Sequence, residues 1–244
     1  MRIALCYWGL CRSTDKTYDS IEECIYKPLR QANIEFDIYL HTYEISGNYT
    51  NVFAREINVN INNELYKLLK PTAFLVENQL AVDKQLNLPD YFTQGLCWQW
   101  KSFIKNEDNI VAMTHNHIRA LYSLKQVTGL WFKSQKTYDR IIYLRPDVKF
   151  LTKLDTNWLT NLKQDECIVP NYAMHPVNDR FAILYPVKAK FYGERFDELL
   201  DFSKTSPVHS EGYLDHSVKK HQIRVIPKEF QFRRIRANGI EIPN

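Results

Sequence analysis

Residues 139–150 read DRIIYLRPDVKF. Ile141, Ile142, Tyr143 and Leu144 form an unbroken apolar run, the pattern of a strand buried on both faces. That strand runs straight into Arg145, Pro146 and Asp147. Open α/β sheets bind ligands beyond the carboxyl ends of their strands, so a strand ending in charge points to a charged ligand. In extended geometry Arg145 and Asp147 point the same way, with the φ of Pro146 fixed between them. A carboxylate held there can ligate Mn²⁺ or Mg²⁺, which bridge well to diphosphate. Arg145 can bind the same phosphates directly. The competing reading is a surface ion pair at a turn, which contributes little.

Outward from this stretch the chain alternates strand and helix. RIALCYW at the start is another two-face strand, and Gly9 ends it. The spacing of Tyr18, Ile21, Ile25 and Leu29 predicts a helix over about 17–30, which Pro28 kinks or ends. A strand at 36–41 completes a βαβ unit, with a right-handed crossover and parallel strands. Further strands are expected at 73–76, 167–169, 180–184 and 223–226, and helices at about 110–133 and 187–202. Residues 43–69 are polar and rich in Asn and suggest no particular element, and residues 83–109 have no clean period and are read as loops and short helices. Without an internal repeat or a shift in composition, 1–244 is read as a single α/β domain. It has a mixed, mostly parallel central sheet flanked by helices. A parallel half (1–150) precedes a more irregular half (151–244).

Composition narrows the functions available. Apolar residues make up 45% and charged residues 25% of 244, the balance of an ordinary globular protein. A formal charge of +4 suits a small anionic ligand and falls short of a nucleic-acid binder. Five scattered cysteines with no C-x-x-C pair argue against a disulfide framework and a cysteine zinc site. No apolar run reaches membrane-spanning length and the first residues already read as a strand, so a cytoplasmic location is expected.

A second strand end carries chemistry: in WGLCRST, Gly9 lets the backbone pass close to a ligand, Arg12 is a permanent cation and Ser13 offers a hydroxyl at a helix start. Together they make a natural phosphate site, or else a plain βα loop with a capping hydroxyl. Trp98 and Trp100 flank one polar residue and can offer ring faces to a sugar, although at least one of them reads as core. His115 and His117 lie about 200° apart around their helix and cannot chelate one ion together.

These segments, IALCYWGLCRSTDKTYDSIEECIYKPLRQANIEFDIYLHTY, YDRIIYLRPDVKF and NDRFAILYP, resemble the small GT-A-fold glycosyltransferases of bacterial and large-virus genomes. The resemblance implies transfer of a sugar from a nucleotide diphosphate sugar, UDP- or GDP-linked, to an acceptor hydroxyl on a glycan, lipid-linked or protein acceptor. It places Gly9, Arg12 and Ser13 near the nucleotide and aligns Asp147 with the last Asp of the family's Asp-x-Asp metal motif. Arg145 stands where that motif has its first Asp, which removes one metal ligand and lets a fixed cation neutralise the departing diphosphate instead. Asn178 and Asp179 fall where the sugar or acceptor pocket is lined, and Glu211 where a carboxylate contacts a sugar. Asp179, Glu211 and Arg145 are therefore the candidate catalytic residues. An Asx turn at 178–179 and a capped helix start at 210–215 account for the same residues without function. His221 is a further candidate metal ligand. Two other functions fit the scaffold: a sugar-nucleotide nucleotidyltransferase, and a binding module that has lost catalysis. The basic stretch 219–236 is read as packing beside the diphosphate or as merely solvated.

Overall fold

The computed structural model describes residues 1–102 and 104–242. β1 (Arg2–Trp8) leads through α1 (Thr14–Ile21), a π-helical turn (Glu22–Tyr26) and α2 (Lys27–Gln31) into β2 (Glu35–Glu44). A hairpin follows, β3 (Asn48–Asn51) and β4 (Glu56–Asn60), then β5 (Ala73–Asn78), α3 (Gln79–Leu86), α4 (Trp98–Lys101) and the long α5 (Glu107–Lys133). The opening stretch forms β6 (Arg140–Leu144) and β7 (Val148–Phe150). Next come α6 (Asn157–Asn161), β8 (Glu166–Pro170), β9 (Phe181–Leu184), α7 (Pro186–Glu194), α8 (Phe196–Ser203) and α9 (Ser210–Lys220). β10 (Arg224–Lys228), β11 (Phe232–Ile235) and β12 (Glu241–Ile242) close the described chain.

The central sheet has the order β10-β8-β9-β6-β1-β2-β5. β1 is parallel to β2 and β6, β2 to β5, and β8 to β10, while β9 runs antiparallel to both β6 and β8. The expected α/β class with a mixed, mostly parallel sheet is therefore what forms. The period of two explains its burial. Ala4, Cys6 and Trp8 of β1 pack with Leu121, Leu124 and Val127 of α5 on one face, while Ile3, Leu5 and Tyr7 pack with Ile21, Ile25 and Leu29 on the other. Gly193 in α7 lies so close to α5 and β6 that an added Cβ would stand 2.0 Å from Thr128 Oγ1 and 2.4 Å from the Tyr143 hydroxyl. All five cysteines are buried and unpaired. Among the described residues no helix is long and apolar enough to cross a membrane.

Two expectations need correction. The first helix starts at Thr14 rather than 17, and Pro28 does not end it. Proline has no N–H to give, and the widened π turn immediately before α2 absorbs that loss. The helix expected over 187–202 is two helices that break at Arg195, whose buried Nη1 donates to the Tyr192 carbonyl at 2.6 Å. The polar segment after β2, which suggested no element in the sequence, forms a two-stranded hairpin.

Candidate functional site

Chain order changes direction at β1, which has β2 on one side and β6 on the other, and ligand crevices open at such a point. The carboxyl ends of β1, β2 and β6 bring Gly9, Tyr43 and Arg145 to one rim. Because β9 is reversed, its start rather than its end reaches the same rim: Phe181 lies opposite Leu144, and Asp179 and Arg180 precede it. β11 pairs with β7, with Arg234 opposite Val148, and carries Arg234 and Arg236 to the crevice. The first turn of α9 supplies Glu211, and α5 supplies His117. Together they line a cavity of about 520 Å³.

Beneath the cavity lies a buried ion network. Asp147 is fully buried and accepts from Arg145 Nε at 2.8 Å and Nη2 at 2.9 Å, and from Arg12 Nη2 at 2.8 Å. Arg12 Nη1 donates to Glu56 at 2.8 Å. Burial pushes the Asp147 carboxyl up, but the guanidiniums of Arg145 and Arg12 outweigh it and hold the pKa well below the usual carboxylate range. Arg145 also lies 5.2 Å from the Trp8 ring.

Several residues expected at the site are committed elsewhere. Asp147 stands behind the cavity wall with both oxygens on guanidiniums, a donor set that does not fit Mn²⁺ or Mg²⁺. Among the described residues no three His, Cys, Asp or Glu side chains cluster to hold an ion. His221 lies away from the cavity, stacked on Phe191 with Nε2 at 3.1 Å from Glu198. Ser13 is buried, and its hydroxyl donates to the Ile235 carbonyl at 2.8 Å. Gly9 lines the cavity at φ 91°, as only glycine does readily, but its N–H donates to Ser123 Oγ at 2.8 Å and is not open to a phosphate. Cys11 N–H is likewise taken by Thr42 Oγ1. Arg12 lines the wall with both terminal nitrogens on carboxylates, so it braces the site. Asn178 is buried in an Asx turn, its Oδ1 accepting from Arg180 N at 3.0 Å and its Nδ2 donating to the Tyr172 carbonyl at 3.0 Å. It orients the residue after it and touches no ligand space.

Asp179, Glu211 and Arg145 do come together on the cavity wall. Arg180 stands between the two carboxylates, 3.9 Å from Asp179 and 3.5 Å from Glu211. Their protonation is pulled apart. Burial raises Asp179, but the guanidiniums of Arg180 and Arg145 outweigh it and hold it down. Burial and the nearby Asp179 charge push Glu211 up, against a hydrogen bond from Ser210. Two carboxyl groups displaced in opposite senses in one cleft are the arrangement of an acid–base pair. Trp100 lines the same wall 5.2 Å from the His209 ring, whereas Trp98 is exposed and apart from it.

Four site residues lay outside the sequence reading or were placed loosely by it. Arg180, Arg234 and Arg236 line the cavity, and so does His117. Burial first, then the like charge of Arg12, lowers Arg236 to about 9. No carboxylate among the described residues stands within ion-pair distance of it, and its Nε is buried without a partner. Burial drives His117 down to about 3, so it is neutral, with Nε2 buried and unpaired. Of the basic stretch, Arg234 and Arg236 thus pack into the site, while Lys219, Lys220, Arg224 and Arg233 stay exposed. The signal was present in FQFRRIR, where Arg234 and Arg236 alternate with the buried Ile235.

No family model matches the chain, and no curated protein matches it. Two solved glycosyltransferase structures are similar to it. One is the apo form of GlyE from Streptococcus pneumoniae TIGR4, with 10% identity and a TM-score of 0.41 over 92% of this chain and 44% of GlyE. A second GlyE structure from the same organism gives 11% and 0.42 over 93% of this chain and 46% of that one. The chain spans less than half the length of either. At that identity and overlap, function rests on the chain's own residues.

Proposed function

We propose that this chain transfers a sugar from a UDP- or GDP-linked donor to an acceptor hydroxyl on a glycan, lipid-linked or protein acceptor. The observation that carries the reading is the cluster of Arg145, Arg180, Arg234 and Arg236 lining one cavity together with Asp179 and Glu211. Buried guanidinium charge that lacks a carboxylate, as at Arg236, is costly until an anion arrives. A diphosphate supplies that anion. As the glycosidic bond breaks, negative charge grows on the leaving diphosphate, and preorganised cations there lower the barrier without reorganisation. Glu211, with its raised pKa, is the better proton acceptor for the incoming hydroxyl near neutral pH. Asp179 stays ionised and holds sugar hydroxyls, and the neutral His117 offers Nε2 to another.

The nucleotidyltransferase alternative is weaker here, because the loop after β1 has spent the Gly9 and Cys11 amides internally. The binding-module alternative is separated by experiment. A panel of UDP- and GDP-sugars is screened for a rise in melting temperature and for slow hydrolysis, with and without Mn²⁺. The expected result is stabilisation by one donor and hydrolysis that Arg236→Ala abolishes. Stabilisation without hydrolysis leaves a binding module, and no stabilisation by any donor refutes the reading.

A further inference from the structure

The hairpin β3–β4 and the front of α5 wall a second cavity of about 460 Å³. Both cavities border Tyr49, Asn51, Phe53, Gln79, Asn116 and Arg119, so they adjoin along the hairpin and α5. Arg145, Arg236, Asp179 and Glu211 border only the first. The second differs in chemistry as well. Arg119 on its wall is neutralised by a bidentate pair with Asp83, at 2.7 and 2.8 Å. The side-chain amides of Gln79 and Asn109 have no partner among the described residues. Asn116 spends its Oδ1 on Arg119 at 3.0 Å and keeps its Nδ2 open. Tyr49 and Phe53 add ring surface. Open amides beside aromatic rings, with no unbalanced cation and the Asp108 carboxylate as a further acceptor, suit an uncharged planar heterocycle whose edge alternates donors and acceptors.

Position selects the occupant. With a diphosphate on Arg145 and Arg236 and the transferred sugar against Asp179 and Glu211, the rest of the donor leaves toward the hairpin wall. We propose that the second cavity is the nucleoside pocket, with the base against Tyr49 or Phe53 and its edge read by Gln79, Asn109 and Asn116. This inference rests on the diphosphate reading above, and the experiment separates the two.

Thermal stabilisation of the whole chain is titrated with inorganic pyrophosphate and with UDP, GDP and ADP. The pocket requires at least one nucleoside diphosphate to act at a tenfold or lower concentration than pyrophosphate. Ala112→Trp fills the cavity from an exposed helix position and should erase that advantage while leaving the pyrophosphate response intact. Asn109→Ala, a milder change, should reduce the advantage at least threefold. If nucleoside diphosphates act no better than pyrophosphate, or keep their advantage in both variants, the pocket is wrong while the diphosphate site stands. No pyrophosphate response at all overturns the diphosphate site, and the pocket with it.

Discussion

Replacing Asp147 with alanine tests the structural reading most directly. The carboxylate is fully buried and serves Arg12 and Arg145 through three hydrogen bonds of 2.8–2.9 Å. Without it two guanidiniums remain under the cavity floor with only Glu56 between them. Removing one partner of a buried charge network costs roughly 3–5 kcal/mol. For a chain of this size that lowers the melting temperature by about 6–20 °C. The pH dependence has a fixed sign. Because the folded-state pKa lies below the free value of 3.8, the contribution is complete above that value and is lost as pH falls toward the folded one. The deficit of Asp147→Ala against the parent should therefore be flat from about pH 5 to 8 and should close below about pH 4. Urea unfolding across that range measures it. Arg145→Ala should cost less, because Asp147 then keeps Arg12. A deficit below about 1 kcal/mol at pH 7 would falsify the buried-network assignment and return Asp147 to the candidate metal ligands.

Arg236→Met should leave thermal stability unchanged or raised, since it removes a buried cation crowded by Arg12, yet weaken pyrophosphate binding at least tenfold, about 1.4 kcal/mol. A loss of stability with binding intact would make Arg236 a structural residue. Donor hydrolysis or transfer should rise with pH through a group above the ordinary glutamate value of 4.5, because Glu211 must lose its proton to act as base. Glu211→Gln should flatten that limb, and an unchanged profile would exclude Glu211. Ser123→Ala strands the buried Gly9 N–H and should cost about 1–3 kcal/mol by denaturant unfolding. A shift within error would mean that this turn is held by other contacts.

Strands buried on both faces announced themselves in the sequence. IALCYW and IIYL are apolar throughout because α1 and α5 cover opposite sides of one sheet. The rim residue Arg145 was legible for a related reason, since it ends an apolar run in charge, whereas Asp179 before β9 and Glu211 in the first turn of α9 were marked only by the family resemblance. Element limits were less so. Thr14 rather than Thr17 begins α1, and the break at Arg195 depends on tertiary packing that no window of sequence encodes. Roles were least legible of all. Asp147 and Ser13 look like ligand groups in the sequence, but their partners Arg12 and Ile235 lie 135 and 222 residues away. For the same reason Arg234 and Arg236 read as a basic stretch until pairing of β11 with β7 turned them inward.

The reversed strand makes the site fragile in one direction and permissive in another. Side chains alternate across a strand, so sliding β9 by a single residue along β6 would flip its buried side chains to the other face and displace Asp179 and Arg180, which lead into it, together. Drift in the connection that precedes Asn178 carries no such penalty, provided the Asx turn still starts β9 in phase. Relatives should therefore tolerate changes in residues 173–176, between Tyr172, whose carbonyl holds Asn178, and the buried Val177, while keeping the frame of the four residues after Arg180.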